Sequence, residues 1–372
     1  MKLRIERGSL LKSLAHVQNV VERRTTIPIL ANVKLEAAGE ELALTATDLD
    51  LALATREPAV VERPGATTVA AHTLFEIVRK LPEGVELHLS RDPEGRELVL
   101  EAGRARVALP TLPAEEFPAL GEEALDVRFT MPAADLARLI DKTRFAISTE
   151  ETRYYLNGIH MHVRREGASS VLRGVATDGH RLARVEVALP EGAEQLPPII
   201  VPRKTIAEIR KLVEECEEGL LVEVSLSRIR FTVDRRVLTS RLIDGQFPDY
   251  ERVIPKANDK IAEIEVKQFA SAVDLVSTIS TERMRAVKLN FANGQVTVSA
   301  VSAESGRAEE QIDADYSGDP LEIGFNARYI LDMLHEIEGE RVRMEMSSPA
   351  APTLMLDPAD SSVLYVLMPM RV

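Results

Sequence analysis

The chain has 372 residues, 46 Lys and Arg against 59 Asp and Glu, and a formal net charge of -13. With 45% hydrophobic and 28% charged residues it has enough apolar material for packed cores, which excludes disorder as its main state. One cysteine, Cys216, excludes a disulfide framework or a thiolate metal cluster, and no apolar run approaches the ~18 residues of a membrane helix.

The predicted elements come three times in one order. Strands are expected at Leu3-Arg-Ile-Glu, Val127-Arg-Phe-Thr and Ile264-Glu-Val, each running into a helical pattern. Leu10, Leu11, Leu14, Val17 and Val21 carry the first pattern, Leu136, Leu139, Ile140 and Thr143 the second, and Phe269, Val273 and Val276 the third. Paired strands follow: Val33-Lys-Leu-Glu with Leu42-Ala-Leu-Thr, Ile159-His-Met-His-Val with Leu172-Arg-Gly-Val-Ala, and Val287-Lys-Leu-Asn-Phe with Val296-Thr-Val-Ser-Ala. Asn293-Gly294 marks a tight hairpin in the last pair. A second strand and helix begin at Thr68, Ile200 and Ile323, and further strands close each segment.

This pattern predicts an α+β protein of three repeated domains, 1–122, 127–250 and 251–372, each an antiparallel sheet with two helices. The boundaries fall in acidic or Pro-bearing stretches near 120–126 and 247–259.

Charge is uneven. The six predicted helices (7–24, 73–81, 133–145, 203–215, 267–277 and 326–337) hold 15 basic and 10 acidic residues, so they carry +5 and the rest of the chain −18. Such a distribution suits a helical surface that tolerates polyanion while the remainder repels it. Domains of this length are roughly 35 Å across, and three touching spheres of that size leave a hole of only about 5 Å. Six leave about 35 Å. Duplex DNA is roughly 20 Å wide, so two chains could surround it and one could not.

Seven ordered stretches resemble a known family: Thr26-Ile-Pro-Ile-Leu, Arg153-Tyr-Tyr-Leu-Asn-Gly, Ala176-Thr-Asp-Gly-His-Arg-Leu-Ala, Ile200-Val-Pro-Arg-Lys, Asp244-Gly-Gln-Phe-Pro-Asp-Tyr, Ile323-Gly-Phe-Asn and Tyr365-Val-Leu-Met-Pro-Met-Arg-Val. They are similar to the bacterial sliding clamps, the beta subunits of DNA polymerase III, over the whole chain. The resemblance implies a head-to-tail homodimeric ring, its pore lined by helices, that encircles duplex DNA and tethers the replicative polymerase without chemistry of its own. Contacts to DNA should go loosely to phosphates so that the ring can slide. By resemblance Arg24, Tyr154, Arg203 and Lys204 are expected there, with His72, Thr73 and the acidic Glu150 departing from the pattern.

The resemblance also implies a pocket for the peptide tails of partners: the polymerase catalytic subunit, a clamp-loader ATPase, repair polymerases, mismatch-repair proteins and ligase. Leu156, Leu182, Val253, Val366, Leu367, Met368, Pro369 and Met370 are expected to supply apolar surface. Arg153, Tyr155, Thr177, Gly179, His180, Arg181, Pro248, Arg252, Asn326, Tyr329 and Arg371 are expected in the pocket or on its rim. The dimer seam is expected to join Arg104, Arg106, Val107 and Leu109 to Ile279, Glu304, Glu309 and Glu310 by strand addition and charge pairing.

A competing reading is a metal-dependent hydrolase using His160, His162, Asp178 and His180 as two ligand pairs. No HExxH or cysteine cluster supports it, so neither metal nor other cofactor is expected. The GxxxxGK[ST] loop is absent too, and a separate ATPase should be needed to open a ring. Charges in the N-terminal segment, where a signal peptide is apolar, predict a cytoplasmic protein.

Overall fold

The structure, a computed structural model, describes residues 1–22, 25–92, 94–121, 123–167, 169–280 and 285–371. Six α-helices occur among the described residues: α1 (Arg7–Val17), α2 (Ala71–Lys80), α3 (Ala133–Arg144), α4 (Arg203–Val213), α5 (Val266–Ser277) and α6 (Ala327–His335). The chain forms two compact units, one of Met1–Ala134, Pro190–Leu196 and Ala207–Leu242, the other of Asp135–Leu189, Pro197–Ile206 and Ile243–Val372.

Caps and buried stripes start and seat the helices. Glu6 accepts from Ser9 N at 2.7 Å at the start of α1, and Glu265 accepts from the Lys267 and Gln268 amides at the start of α5. Leu10, Leu14 and Val17 form the buried stripe of α1, and Phe269, Val273 and Val276 that of α5. Helix α1 ends at Val17, short of the expected 24, although Val20 and Val21 are buried in the turn beyond it. A run of buried positions at helical spacing thus continues past the last helical hydrogen bonds.

In the first unit thirteen strands make one antiparallel sheet. The meander Asn32–Ala38, Glu41–Thr47 and Leu51–Pro58 continues directly into Arg236–Arg241, with Thr55 opposite Arg236 and Leu51 opposite Ser240. The second unit repeats this arrangement in a nine-stranded sheet. There Gly158–Glu166, Ser169–Thr177 and Arg181–Ala188 continue into Asp360–Leu367, with Val185 opposite Val363 and Arg181 opposite Leu367. A separate four-stranded sheet carries the Asn293-Gly294 hairpin, both residues at positive φ (52° and 77°), as a two-residue hairpin turn requires. Its edge strand Gly306–Asp313 pairs on one side only among the described residues.

Candidate functional site

Where Arg181–Ala188 meets Asp360–Leu367, the second unit opens a cavity of about 300 Å3. Leu156, Leu182 and Val366, each under 5% exposed, form its floor, and Pro248, Val253 and Met368 its walls. Beneath lies a packed cluster of Val175, Ile200, Phe247, Tyr250 and Leu354. Arg153, Tyr155, Thr177, Gly179 and Arg181 also line it. Eleven of the residues expected to form a pocket therefore do come together. The arrangement offers an apolar hole with fixed polar groups at its edge, the chemistry of a site for an apolar side chain on an extended ligand.

The polar edge is held by local bonds. Thr177 Oγ1 donates to Arg181 O (2.7 Å) and accepts from Gly179 N (3.1 Å), while Asp178 Oδ1 accepts from the His180 and Arg181 amides. Gly179 has φ +88°, and a methyl group there would collide with the Arg153 guanidinium. Arg181 is nearly buried, donates to Asp332 and Phe145 O, and lies 4.3 Å over the Tyr329 ring. Glu150 binds Arg153, and this bond holds the Glu150 carboxyl below its usual range and raises the Arg153 guanidinium.

A second cavity, of about 430 Å3, is also lined by Arg181 and adds Glu150, His180, Arg203, Arg328 and Tyr329. Arg203, expected at DNA, thus shares a cavity with three residues expected in the pocket or on its rim, His180, Arg181 and Tyr329.

Several expected pocket residues lie elsewhere. Leu367 is fully buried, because strand alternation turns it away from the face that Val366 and Met368 share with the cavity. Asn326 caps α6 by accepting from Arg328 N at 3.0 Å. Arg252 is exposed and pairs with Asp249 at 2.7 Å. Met370 N donates to Gly324 O at 2.8 Å, and neither it nor Pro369 lines the cavity. Arg371 lines a different cavity with Lys288 and Glu304. Asp249 and Tyr250 line the pocket and were not expected to, although both stand in the Asp244-Gly-Gln-Phe-Pro-Asp-Tyr stretch.

Of the expected DNA contacts, Arg24 lies outside the described residues. Tyr154 is 53% exposed, Arg203 is exposed and Lys204 is half-buried. At the expected seam, Arg104 and Arg106 are exposed and Val107 is half-buried, but Leu109 is buried in its own unit. Ile279 is half-buried, Glu304 and Glu309 are exposed, and Glu310 keeps a buried Oε2 with no hydrogen-bond partner among the described residues. Leu275 and Val301 are 59% and 82% exposed, and helical or strand spacing alone did not single them out.

The residues of the metal reading are engaged in other ways. His160 Nδ1 donates to Ile199 O (3.1 Å), and its ring stacks on Phe247 at 4.7 Å. His162 Nε2 lies 2.9 Å from the Tyr250 hydroxyl, which also accepts from Arg173. Asp178 serves the turn, and among the described residues no three His, Cys, Asp or Glu side chains are grouped to hold a metal. Burial, and then His162, push His160 down to about 4. No helix among the described residues is long and apolar enough to cross a membrane.

Comparison with known proteins agrees over the whole length. Models of the N-terminal, central and C-terminal domains of the DNA polymerase III beta subunit match residues 1–121, 130–249 and 251–371. The beta sliding clamp of Caulobacter vibrioides (strain NA1000 / CB15N) is 52% identical, and that of Escherichia coli (strain K12) 41%, with all of each chain covered. Among solved structures, a C. crescentus beta sliding clamp superposes with a TM-score of 0.96 at 52% identity. A sliding clamp (DNA polymerase III subunit beta) from Bartonella birtlesii bound to griselimycin gives 0.98 at 45%, again with both chains fully covered.

Proposed function

The chain belongs to the DNA polymerase III beta subunit family, the beta sliding clamps, and from that premise we propose how its own residues perform the work. The family is non-catalytic: a clamp acts in DNA replication by keeping a polymerase at its template, which raises the local concentration of the enzyme at the primer end. The metal-hydrolase reading has no support.

Two copies, each of three domains (1–122, 127–250 and 251–372), close head to tail around duplex DNA with their helices toward the duplex. Two open strand edges favour this assembly. Among the described residues, the strand from Ala105 to Pro110 pairs only with Glu97–Ala102, and Gly306–Asp313 only with Gln295–Ser302. The first edge carries Arg106, with Arg104 in the turn that precedes it, and the second carries Glu309 and the unpartnered carboxylate oxygen of Glu310. Strand addition would satisfy both edges and pair the charges. Arg24, Tyr154, Arg203 and Lys204 touch the DNA backbone.

The single observation that carries the tethering role is the apolar cavity floored by Leu156, Leu182 and Val366 under the Arg153–Gly179–Arg181 rim. It takes the peptide tails of the polymerase catalytic subunit, the loader ATPase, repair polymerases, mismatch-repair proteins and ligase. The protein works in the cytoplasm.

Retention on DNA tests the reading. A ring stays on closed circles in high salt and runs off linear ends. Equal loss from both would make it an ordinary electrostatic binder.

A further inference from the structure

The turn that edges the pocket is built twice. In the first unit Thr47 Oγ1 donates to Leu51 O (2.8 Å) and accepts from Leu49 N (3.0 Å), and Asp48 Oδ1 accepts from the Asp50 and Leu51 amides (3.0 and 2.7 Å). Each bond has its counterpart around Thr177 and Asp178. Arg241 N donates to Asp50 O (2.8 Å) just as Met368 N donates to His180 O (2.9 Å). The segment Phe117-Pro118-Ala119-Leu120 likewise answers Phe247-Pro248-Asp249-Tyr250. Position for position, Leu49 stands for Gly179, Asp50 for His180 and Arg241 for Met368.

A cavity of about 370 Å3 opens at this place too, lined by the turn, by Pro118 to Gly121, and by Arg228 and Arg241. Its chemistry is its own. Leu49 sits at φ +84°, where Gly179 has +88°, and this strained leucine leaves its side chain 41% exposed. Arg228 is already taken by Gly121 O and Glu123, and Asp48 by the turn amides. What remains is an apolar wall of Leu49, Pro118 and Leu120 beside one exposed pair, Arg241 and Asp50, 3.5 Å apart. Such a pair offers a donor and an acceptor together and no excess of either charge. That matches a neutral amide, and the two aspartates disfavour a phosphate chain.

We infer that this cavity is a second peptide site, taking an extended segment whose aliphatic side chain packs on Leu49 and Pro118 and whose amide meets Arg241 and Asp50. The inference rests on the reading of the Leu182–Met368 cavity as a peptide pocket, because it extends that role to the repeated turn.

The test uses the full-length protein and the acetylated, amidated tetrapeptide Gln-photoleucine-Ser-Leu, crosslinked by light and mapped by mass spectrometry. Labels competed by unmodified peptide are expected at residues 118–121 and at 248–253. Leu49→Asn keeps a residue that tolerates left-handed backbone and should cut the first label about tenfold while leaving the second. Arg241→Ala, at a side chain 60% exposed, should also cut it without altering the turn. Label confined to 248–253, or label at 118–121 unmoved by both variants, overturns this inference alone. Label confined to 118–121 upholds it and overturns the pocket reading, and label at neither overturns both.

Discussion

Glu150 grips Arg153 by two charge-assisted hydrogen bonds, Arg153 Nε to Oε2 at 2.7 Å and Nη2 to Oε1 at 2.6 Å. The pair holds a guanidinium against Gly179 at the mouth of the pocket, so an acidic residue that departs from the DNA-contact pattern has a structural use. Gly179→Ala should displace Arg153 and also strain a backbone at φ +88°. We expect about a tenfold loss of affinity for a polymerase-tail peptide and about 1 kcal/mol of stability. Fluorescence anisotropy and denaturant melts would read both, and unchanged affinity would remove Arg153 and Gly179 from the site.

The floor and the wall of the pocket should separate stability from binding. Leu182 is 2% exposed, and Leu182→Ala should cost about 2–4 kcal/mol of stability as well as peptide binding. Met368 is 37% exposed, and Met368→Ala should cost less than about 1 kcal/mol of stability while still weakening the peptide about tenfold. Polymerase stimulation that survives Met368→Ala undiminished would place the tail elsewhere.

Acid should loosen the second unit through its stacked histidines. His160 binds its proton near pH 4 when folded and near its ordinary 6.5 when unfolded, so the unfolded chain holds more protons between those values. Stability should therefore be complete above about pH 6.5 and fall by up to about 3 kcal/mol as pH drops toward 4. His162, also lowered chiefly by burial, acts in the same direction. His160→Phe should flatten this slope in thermal melts from pH 7.5 to 4.5. Parallel slopes for the two proteins would assign the acid sensitivity to other groups.

Leu275 gives the seam its sharpest test. It projects 59% exposed from α5, whose other face holds Phe269 and Val276 in the core. It stands four residues before Ile279, which we propose at the dimer seam, so it is an anchor candidate there, and Leu275→Asp should weaken the dimer by about 30-fold with little effect on protomer folding. Light scattering across a dilution series would reveal it, and an unaltered dimer would move the seam away from α5.

Local pattern decided most of the elements. The stripe Phe269, Val273 and Val276 specified α5, and Asn293-Gly294 its hairpin, because helical periodicity and turn chemistry act between near neighbours. The same signal overran at α1, since Val21 is buried in a turn rather than on a helix. The ordered stretches from Thr26 to Val372 carried the family resemblance by themselves. Which of their residues share a cavity was decided only by long-range pairing. Leu182 and Val366 meet because Arg181–Ala188 pairs with Asp360–Leu367, and the register of that pairing sends Met368 to the pocket and Leu367 to the core. Likewise the chain spells Thr47-Asp48-Leu49-Asp50 without showing that Leu49 adopts a glycine's backbone. Only the closed turn, with Thr47 holding the amide two residues on and Asp48 those two and three residues on, forces that conformation on a leucine.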